Sequence, residues 1–409
     1  MSIDYLALGE ELDPEEYVIC DYRVKTHLDI ETAGKRIAEE ESTGTWTHPT
    51  TLSNDIFKRY GAKVTKAEEN LVRIGFPIID FSGNIGGVPQ ILSIIAGNLF
   101  GLEDLEGVRL VDVHFPKDIV KKYPGPKYGV EGLRKILRRK EKPLVGTIVK
   151  PKIGLPPKEF SEYIYDAGKG GLTNSKDDET LVDQDFCRLE ERVNMVSEKL
   201  DLLEEEGHKM IHAHNISTSG HEILEAADLA LENGARQLMV DVLTVGFAGV
   251  QAIAEDPSIR VPIHVHRAMH GAFTKNLDHG IAMLVIAKIA RMVGGDALHI
   301  GTYGIGKMYG EIPDELRSKK VLLEDMYDLP KTMPVASGGL HPGLVPDLVD
   351  MSGFDVQIQA GGGVAGHPNG VRAGAKALSQ AVEAVYQGIG LKEYAEEHEE
   401  LKKALDKWM

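Results

Sequence analysis

The chain has 409 residues, more than one small hydrophobic core usually organises, so we expect two domains. Its formal net charge is −17, which argues against a nucleic-acid-binding protein, and its two cysteines, Cys20 and Cys187, imply no disulfide framework. The first residues lack the pattern of a signal peptide, and no apolar run is long enough to span a bilayer. We therefore expect a cytoplasmic protein that binds neither nucleic acid nor membrane.

Residues 1–125 predict a mixed α+β domain. Apolar residues at helical spacing predict one helix over 30–41, and a longer apolar stretch predicts a second over 87–102. Three strand patterns complete the domain, at residues 17–24, 70–76 and 108–115. A segment with two prolines and two glycines at 121–129 predicts a linker to the next domain.

Residues 126–390 repeat a pattern of strand, loop and helix. Eight apolar strand-like runs occur, at residues 144–152, 171–179, 209–217, 237–245, 261–269, 297–304, 332–339 and 354–363. Helical patterns lie between them, at residues 185–206, 221–233, 279–293 and 371–388. Eight such units over about 250 residues are typical of a (β/α)₈ barrel, with a doubly wound sheet as the alternative. Residues 391–409 predict a solvated helical tail.

One stretch of the second barrel unit combines a lysine with three carboxylates. Lys176 is followed directly by Asp177, Asp178 and Glu179. Clustered carboxylates raise one another's pKa unless a cation lies among them, and Mg²⁺ prefers such oxygen ligands. A lysine can join them as a ligand only if its amine is modified, for example by CO₂ to a carbamate. The alternative is a solvated charge run at the start of a loop.

The barrel prediction brings further polar residues to the same rim, because the active site of this fold lies at the carboxyl ends of the strands. Those ends carry Lys150, Lys152, His214, Asn215, His266, Arg267, His270 and His299. Glycines after the seventh and eighth strands, at 338–339 and 361–363, predict a phosphate site. A Gly-flanked segment at 303–310 carries Lys307 and predicts a mobile lid. The pattern favours a cationic, metal-bearing pocket for a small anionic substrate.

These residues carry a resemblance to a known family. The chain resembles the large subunit of ribulose-1,5-bisphosphate carboxylase/oxygenase (RuBisCO), most closely the archaeal form III enzymes, over nearly its whole length. The shared motifs are STGTW at 42–46, GTIVKPK at 146–152, KDDE at 176–179, HRAMH at 266–270, GK at 306–307, SGG at 337–339 and GGG at 361–363. The resemblance implies an α+β domain followed by a barrel. It also implies carboxylation and oxygenation of ribulose 1,5-bisphosphate to 3-phosphoglycerate through a Mg²⁺-stabilised enediolate.

The resemblance assigns roles to individual residues. Carbamylated Lys176 would bind Mg²⁺ with Asp178 and Glu179 and would take the proton from C3. The other catalytic residues implied are Lys150 and Lys152 in proton transfer, His266 near C3, and Lys307 over the new carboxylate. One end of the bisphosphate would be held by Arg267, His299 and Ser337, the other by Thr45, Trp46, Gly339, Gly361 and Gly362, and Thr147 and Gly338 are also assigned to substrate binding. A neighbouring subunit would supply Glu40, Thr45, Trp46 and Asn98, which implies a homodimer or an oligomer of dimers.

Two alternative activities stay open. Tyr309 stands where the lid of the family usually has Glu, and the connection from Lys307 to Ser337 is short, as is common in RuBisCO-like proteins. Those proteins enolise or isomerise related (methylthio)sugar phosphates without fixing CO₂. The second alternative is a zinc hydrolase of the barrel type, in which His264 and His266 form a metal pair beside the carbamylated lysine. Lysines on three separate loops speak against a scaffold without catalytic activity.

Overall fold

The computed structural model describes residues 3–47, 49–81, 85–308 and 310–409, which fall into two compact units. One unit comprises Met1–Tyr123 and Met269–Ile289, and the other comprises Pro124–Ala268 and Ala290–Met409. The predicted domain boundaries at residues 125 and 390 remain predictions, because compactness alone does not show where independently folding parts begin. Among the described helices, none combines the length and hydropathy needed to cross a bilayer.

The described residues form strands and helices in mixed order. The strands are β1 (Tyr17–Thr26), β2 (Lys63–Glu68), β3 (Leu71–Pro77), β4 (Leu105–His114), β5 (Leu144–Ile148), β6 (Asn174–Lys176), β7 (Ile211–Asn215), β8 (Gln237–Asp241), β9 (Ile263–His266), β10 (Gly280–Ile281), β11 (Ala297–His299), β12 (Met333–Ser337) and β13 (Gln357–Gln359). The helices are α1 (Ile30–Glu40), α2 (Asn54–Tyr60), α3 (Gly87–Ile95), α4 (Lys117–Val120), α5 (Gly129–Ile136), α6 (Pro157–Lys169), α7 (Leu189–Glu205), α8 (Ile223–Glu232), α9 (Val242–Val245), α10 (Phe247–Glu255), α11 (Gly271–Thr274), α12 (Met283–Met292), α13 (Ile312–Leu323), α14 (Val345–Ser352), α15 (Gly362–Ala365), α16 (Gly370–Gln387), α17 (Leu391–Tyr394) and α18 (Glu399–Trp408).

The first unit is built on a five-stranded sheet in the order β10-β4-β1-β3-β2. Successive side chains of β1 alternate between buried and half-exposed, so one face of the strand lies in the core. Helix α1 begins where predicted, because the Asp29 side chain accepts the N–H of Thr32 as an N-cap. The helix predicted over 87–102 is wrong beyond Ile95. The chain leaves the helix at Ala96, its C-cap, and a 3₁₀ turn follows at Asn98–Gly101.

The second unit contains a closed barrel of parallel strands in the order β5-β6-β7-β8-β9-β11-β12-β13. The predicted (β/α)₈ architecture is confirmed within the described residues, and the doubly wound sheet is excluded. Each strand is shorter than its predicted apolar run. Strand β6, for example, covers Asn174–Lys176 within the predicted run 171–179. The residues of these runs that follow the strand, such as 177–179 after β6, lie in the loops at the rim, which positions their polar side chains for chemistry.

Two predictions outside the barrel strands are corrected. The helix predicted over 279–293 starts only at Met283, because Gly280–Ile281 pairs in parallel with β4. The tail is two helices, α17 and α18, rather than one solvated helix. Leu401 and Leu405 of α18 are buried, four residues apart on one helical face, and α18 packs on α16. The tail packs on the barrel unit through these two leucines, although most of its residues are charged.

Candidate active site

Side chains that follow β5 and β6 meet at one rim of the barrel. Nζ of Lys150, two residues beyond β5, donates to Oδ2 of Asp178 at 2.6 Å. Nζ of Lys152 lies 3.5 Å from Oε1 of Glu179. Nζ of Lys176, the last residue of β6, lies 3.5 Å from Oε2 of the same carboxylate. Three lysines therefore contact the two carboxylates that the sequence assigns to a metal site, and we call these five side chains the rim cluster.

Burial distinguishes Lys176 from the other two lysines of the rim cluster. Its side chain is 1% exposed, against 28% for Lys150 and 56% for Lys152. Burial lowers the pKa of Lys176, and the nearby carboxylates offset this only in part. Burial acts to raise the pKa of Glu179, but Lys176 and His266 beside it prevail and bring that pKa to about 2. An ionised carboxylate thus lies beside an amine that loses its proton more readily than an exposed lysine.

The first carboxylate of the run, Asp177, has other partners. It is fully buried and accepts hydrogen bonds from the Arg192 guanidinium at 3.0 Å, from Nε2 of His212 at 2.8 Å and from the N–H of Asn215 at 2.8 Å. Burial acts to raise the pKa of Asp177, but Arg192 and His212 prevail and hold it below its usual value. The ligand atoms of Asp177, His212 and His214 are close enough for a metal ion. The Arg192 guanidinium already neutralises Asp177, the one carboxylate of this group. We therefore interpret the group as a structural support for the barrel rim and not as a metal site.

Arg192→Ala is expected to lower the free energy of unfolding by about 3–5 kcal/mol, because it leaves a buried carboxylate without its charge partner. Denaturant titration and the thermal unfolding midpoint measure the change. Arg188→Ala is the matched control. Arg188 pairs with Asp183 at the surface, where its side chain is 50% exposed, so its loss is expected to cost about 0–1 kcal/mol. Equal effects of the two substitutions would contradict the assignment of a buried ion pair.

His266, at the end of β9, is oriented by a carboxylate that was not predicted from the sequence. Its Nδ1 lies 2.5 Å from Oδ1 of Asp241, the last residue of β8, and its Nε2 lies 3.7 Å from Oε2 of Glu179. Burial and the nearby Lys176 lower the pKa of His266, which favours the neutral imidazole. Asp241 therefore fixes the imidazole with its second nitrogen toward the rim cluster.

The histidine pair that could have formed a zinc site has separate partners. Nε2 of His264 lies 2.7 Å from Nε2 of His299, whereas His266 is bound to Asp241. The group of the described residues whose ligand atoms converge for a metal contains neither His264 nor His266. The arrangement gives no support to the zinc hydrolase alternative.

Residues assigned to one end of a bisphosphate lie on neighbouring strands. His299 ends β11 and Ser337 ends β12, and Nδ1 of His299 lies 2.7 Å from Oγ of Ser337. Arg267 follows β9 and is buried, with only 7% of the residue exposed to solvent. Burial lowers the pKa of Arg267 to about 10, so the guanidinium remains a cation at neutral pH. A buried guanidinium can bind an oxyanion through charge-assisted hydrogen bonds.

The segment predicted as a lid lies against the glycines that follow β12. The N–H of Lys307 donates to the carbonyl of Gly338 at 2.8 Å. A Cβ on Gly339 would lie 2.7 Å from Cγ of Lys307, and its φ of +83° also favours glycine. The Lys307 side chain itself is exposed. Tyr309, which belongs to the predicted lid, lies outside the described residues, and lid motion remains a prediction.

Glycines after β13 lie beside the rim cluster. A Cβ on Gly361 would lie 2.9 Å from Cε of Lys150, so glycine at this position leaves room for the lysine to extend toward Asp178. Gly362 is exposed and is the first residue of α15. Their role in binding the second phosphate stays a prediction.

The assignment of Thr147 to substrate binding is corrected. The residue is fully buried, and its Oγ1 lies 3.1 Å from the hydroxyl of Tyr163 on α6 and 3.0 Å from the carbonyl oxygen of Ala360. Neighbouring Gly146 lies on the opposite side of β5, where a Cβ would lie 2.9 Å from Nε2 of Gln359. Because side chains alternate along a strand, Thr147 faces helix α6 and fixes it to the barrel.

In the first unit, two of the residues assigned to a neighbour's site contact each other. Nδ2 of Asn98 donates to Oε1 of Glu40 at 3.2 Å. The adjacent Glu41 is buried and accepts the N–H of Leu99 at 2.6 Å, and burial raises its pKa to about 7. Glu41 thereby ties the end of α1 to the 3₁₀ turn. Glu40 and Asn98 are consequently held side by side at the surface.

The chain matches a known family over almost its full length. Residues 7–119 match the model of the ribulose bisphosphate carboxylase large chain, N-terminal domain, and residues 129–408 match that of its catalytic domain. The chain belongs to the RuBisCO large-chain family. The resemblance inferred from the motifs is therefore confirmed.

Relatives within the RuBisCO family cover the same span. The ribulose bisphosphate carboxylase of Methanocaldococcus jannaschii is 42% identical over 99% of this chain and 100% of its own length. That of Pyrococcus furiosus is 40% identical over 99% of this chain and 97% of its own length. These relatives are archaeal, as the motifs indicated.

Solved RuBisCO structures share the fold. A sulfate complex of the octameric enzyme from Pyrococcus horikoshii has a TM-score of 0.93 at 38% identity, covering 99% of this chain and 96% of that one. A dimeric archaeal RuBisCO from Hyperthermus butylicus has a TM-score of 0.89 at 36% identity, covering 99% and 98%. The predicted order of an N-terminal α+β domain and a barrel is thus confirmed.

Several residues that hold the RuBisCO rim in place were not predicted from the sequence. A signal for Asp241 was available, because it ends the fourth barrel strand, where this fold carries its functional groups. Arg192 gave no comparable signal, since an arginine in a charged helical pattern is usually exposed. Its partner Asp177 was noted only as part of a charge run. Local patterns do not show which of three adjacent carboxylates turns toward a buried cation.

Proposed function

We propose that this chain catalyses the carboxylation of ribulose 1,5-bisphosphate to 3-phosphoglycerate. The observation that carries the proposal is the rim cluster, which brings together the lysines and carboxylates assigned to catalysis and metal binding, apart from the lid lysine. The chain that contains this cluster is 42% identical over its length to a named ribulose bisphosphate carboxylase. The curated relatives and solved structures compared above all carry carboxylase names. Nothing among them favours the enolase or isomerase alternative. The proposal also includes oxygenation of the same substrate and membership of form III.

The residues of the rim cluster fit a magnesium ion and a carbamate. With Lys176 as an ammonium, three cationic lysines face two carboxylates, and the cluster repels a divalent cation. Reaction of the neutral Lys176 amine with CO₂ forms an N–C bond and releases a proton, which leaves an anionic carbamate beside Asp178 and Glu179. The cluster then carries one net negative charge and can hold Mg²⁺ with oxygen ligands. The burial that lowers the pKa of Lys176 favours the neutral amine that this reaction needs.

Mg²⁺ bound there supplies Lewis-acid stabilisation of negative charge on the sugar. The chain's own residues move the protons. The carbamate oxygen of Lys176 takes the proton from C3, since a free lysine with pKa near 10.4 is a poor base at neutral pH. Lys150 is positioned for proton transfer at the reacting carbons, with Lys152 beside it. His266, oriented by Asp241, assists proton movement near C3.

The phosphate groups of the substrate bind at the two ends of the rim in this proposal. Arg267, His299 and Ser337 bind one phosphate, and the backbone at Gly339, Gly361 and Gly362 binds the other, with Gly338 beside it. The relative from Pyrococcus horikoshii was solved with sulfate, an oxyanion of similar shape and charge to phosphate. Lys307 closes over the site and stabilises the carboxylate that forms from CO₂.

We extend the proposal to a dimer with shared sites. Structural relatives of this chain include an octameric and a dimeric RuBisCO. The Trp46 side chain is 86% exposed, which is unusual for so large an apolar group and suits a residue that another subunit covers. Glu40, Thr45, Trp46 and Asn98 then complete the neighbour's pocket.

Mixing two inactive variants tests the shared site. Glu40→Ala removes a group donated to the neighbour, and Lys176→Ala removes a group of the chain's own barrel. Mixed dimers are expected to regain up to about half of the wild-type activity, since one of their two sites carries neither defect. The measurement is carboxylation after subunit exchange, with mixed dimers confirmed by two affinity tags. Mixed dimers without recovered activity would indicate self-contained subunits.

The activity itself is tested with purified protein, Mg²⁺, ¹⁴C-bicarbonate and ribulose 1,5-bisphosphate. The expected product is labelled 3-phosphoglycerate, and its formation should require both the metal and the bisphosphate. Consumption or isomerisation of the sugar with no labelled acid would overturn the proposal.

A further inference from the structure

The end of helix α1 and the 3₁₀ turn at Asn98–Gly101 meet through two parallel contacts. Nδ2 of Asn98 donates to Oε1 of Glu40 at 3.2 Å, and the N–H of Leu99 donates to Oε1 of Glu41 at 2.6 Å. Each contact joins residues 58 positions apart, so two consecutive residues at the helix end hold two consecutive residues of the turn. The contact of Glu40 is exposed, whereas that of Glu41 is buried and is therefore the stronger of the two.

The carboxylate of Glu41 is enclosed by the backbone that enters the turn. The residue is 8% exposed, and the N–H groups of Gly97 and Asn98 donate to the carboxylate in addition to that of Leu99. A Cβ on Gly97 would lie 2.6 Å from Oε2 of Glu41, so glycine lets the backbone approach this closely. Hydrogen bonds from successive amides to one carboxylate restrict the backbone from 97 to 99.

The chain is also held just before this stretch. The hydroxyl of Tyr22 on β1 donates to the carbonyl oxygen of Ile95, the last residue of α3, at 2.7 Å in the core. Asn98 therefore lies between two buried anchors along the chain. A carboxylate is a destabilising choice for such an anchor, because removing its charge from water costs free energy that an apolar residue does not lose. Burial accordingly raises the pKa of Glu41 to about 7. What the carboxylate supplies in return is a fixed orientation of Asn98 beside Glu40.

We propose that Glu41 is a positioning residue for the active site of the neighbouring subunit. Glu41 holds the turn so that the Asn98 side chain stays against Glu40, and the two side chains enter the neighbour's pocket as one unit. The inference rests on the proposed function, which assigns Glu40 and Asn98 to a shared site. It goes beyond that function because Glu41 is buried away from the substrate and acts on a reaction in the other subunit.

Hydrogen exchange tests the local part of the proposal without any assay of activity. In Glu41→Leu, amide exchange in residues 96–102 is expected to rise at least about 10-fold, as for the loss of hydrogen bonds to a charged group, while β1 and β3 exchange as in the wild type. Glu31→Leu is the matched control, since Glu31 is an exposed glutamate in the first turn of the same helix. A pH of about 8 keeps Glu41 ionised, because it lies above the pKa of about 7. Unchanged exchange of the turn in Glu41→Leu overturns the proposal.

Carboxylation tests the functional part. Glu41→Leu is expected to lower the rate about 10²-fold, because a displacement of about 1 Å in a group of the site can have an effect of that size. Glu41→Gln keeps the size of the side chain and one accepting oxygen, so its expected loss is smaller, about 10-fold. Glu41→Gln also replaces Glu41→Leu in every comparison if the leucine variant does not fold. Glu31→Leu should keep the wild-type rate, and a wild-type rate in both Glu41 variants overturns the proposal.

Mixed dimers show which subunit Glu41 serves. Mixed with Lys176→Ala, the Glu41→Leu chain should recover up to about half of the wild-type activity, because one site then combines an intact barrel with an intact Glu41. Mixed with Glu40→Ala, it should recover nothing, because each site receives a defective pair from its neighbour. Recovery with Glu40→Ala but not with Lys176→Ala would mean that Glu41 serves its own barrel. Recovery with neither, while Glu40→Ala and Lys176→Ala recover each other, would mean a general structural defect, and either result overturns the proposal.

These measurements fail separately from the proposed function. Absence of CO₂ fixation in the wild type removes the carboxylase proposal, and hydrogen exchange then decides whether Glu41 holds the turn. Failure of Glu40→Ala to complement Lys176→Ala removes the shared site, and with it the role of Glu41 in the neighbour's pocket. An active enzyme with a shared site but an unchanged turn in Glu41→Leu keeps the proposed function and removes the inference alone.

Discussion

Lys176→Ala is expected to lower carboxylation by at least about 10⁴-fold, the upper end of what a general base alone contributes. In the proposed mechanism, the substitution removes both a metal ligand and the group that takes the C3 proton. The loss should appear in kcat rather than in KM, because the phosphate-binding residues lie on other strands. The measurement is ¹⁴CO₂ fixation into 3-phosphoglycerate at saturating substrate.

A metal-binding experiment separates the two roles. Mg²⁺ affinity of the wild type should rise when CO₂ is supplied, because the carbamate turns a net positive rim cluster into a negative one. Lys176→Ala should show no dependence on CO₂. Lys158→Ala is the matched control, since Lys158 is an exposed lysine at the start of α6, and it should behave as the wild type. Equal Mg²⁺ affinity and equal turnover of CO₂-free and CO₂-treated wild type would rule out the carbamate.

Much of this site could be predicted because its signals are local. The eight strand-like runs repeat with βα spacing, and each run ends in polar residues. In a parallel barrel those ends necessarily share one rim, so Lys150, Lys176 and His266 could be grouped without knowing any distance. Their contacts with Asp178 and Glu179 agree with that grouping. The carbamate chemistry could be argued from the oddity of a lysine among carboxylates.

The rest depends on contacts between distant parts of the chain, which a local pattern does not contain. Arg192 meets Asp177 across 15 residues, and His264 meets His299 across 35. Each residue alone has an ordinary explanation, such as an exposed helical arginine or a packed histidine. Thr147 failed for a different reason, since a shared motif does not say which of two adjacent residues faces the barrel interior. A shift of one residue along a strand turns the side chain to the opposite face of the sheet.

Substitution of the lid lysine, Lys307, can distinguish a carboxylase from an isomerase by experiment. Lys307 is anchored through its backbone, where its N–H donates to Gly338, while its side chain is exposed. In the proposed mechanism, a cationic side chain there is useful only once a new carboxylate develops, because the rim cluster serves proton removal from C3. Lys307→Ala is therefore expected to spare C3 proton exchange and to lower CO₂ fixation by about 10²–10³-fold, as for the loss of one contact made mainly in the transition state.

The measurement compares C3 proton exchange with solvent and ¹⁴CO₂ fixation in the same preparations of wild type and Lys307→Ala. Lys320→Ala on α13 is the control, since Lys320 forms an exposed i,i+4 ion pair with Glu324 and its loss should change neither rate. A wild type that exchanges the proton but never forms 3-phosphoglycerate would identify an enolase or isomerase. If the wild type fixes CO₂ and the variant loses exchange and fixation equally, Lys307 acts before the carboxylation step. In that case its charge is needed for closing the site over the sugar, and the new carboxylate is not its main partner.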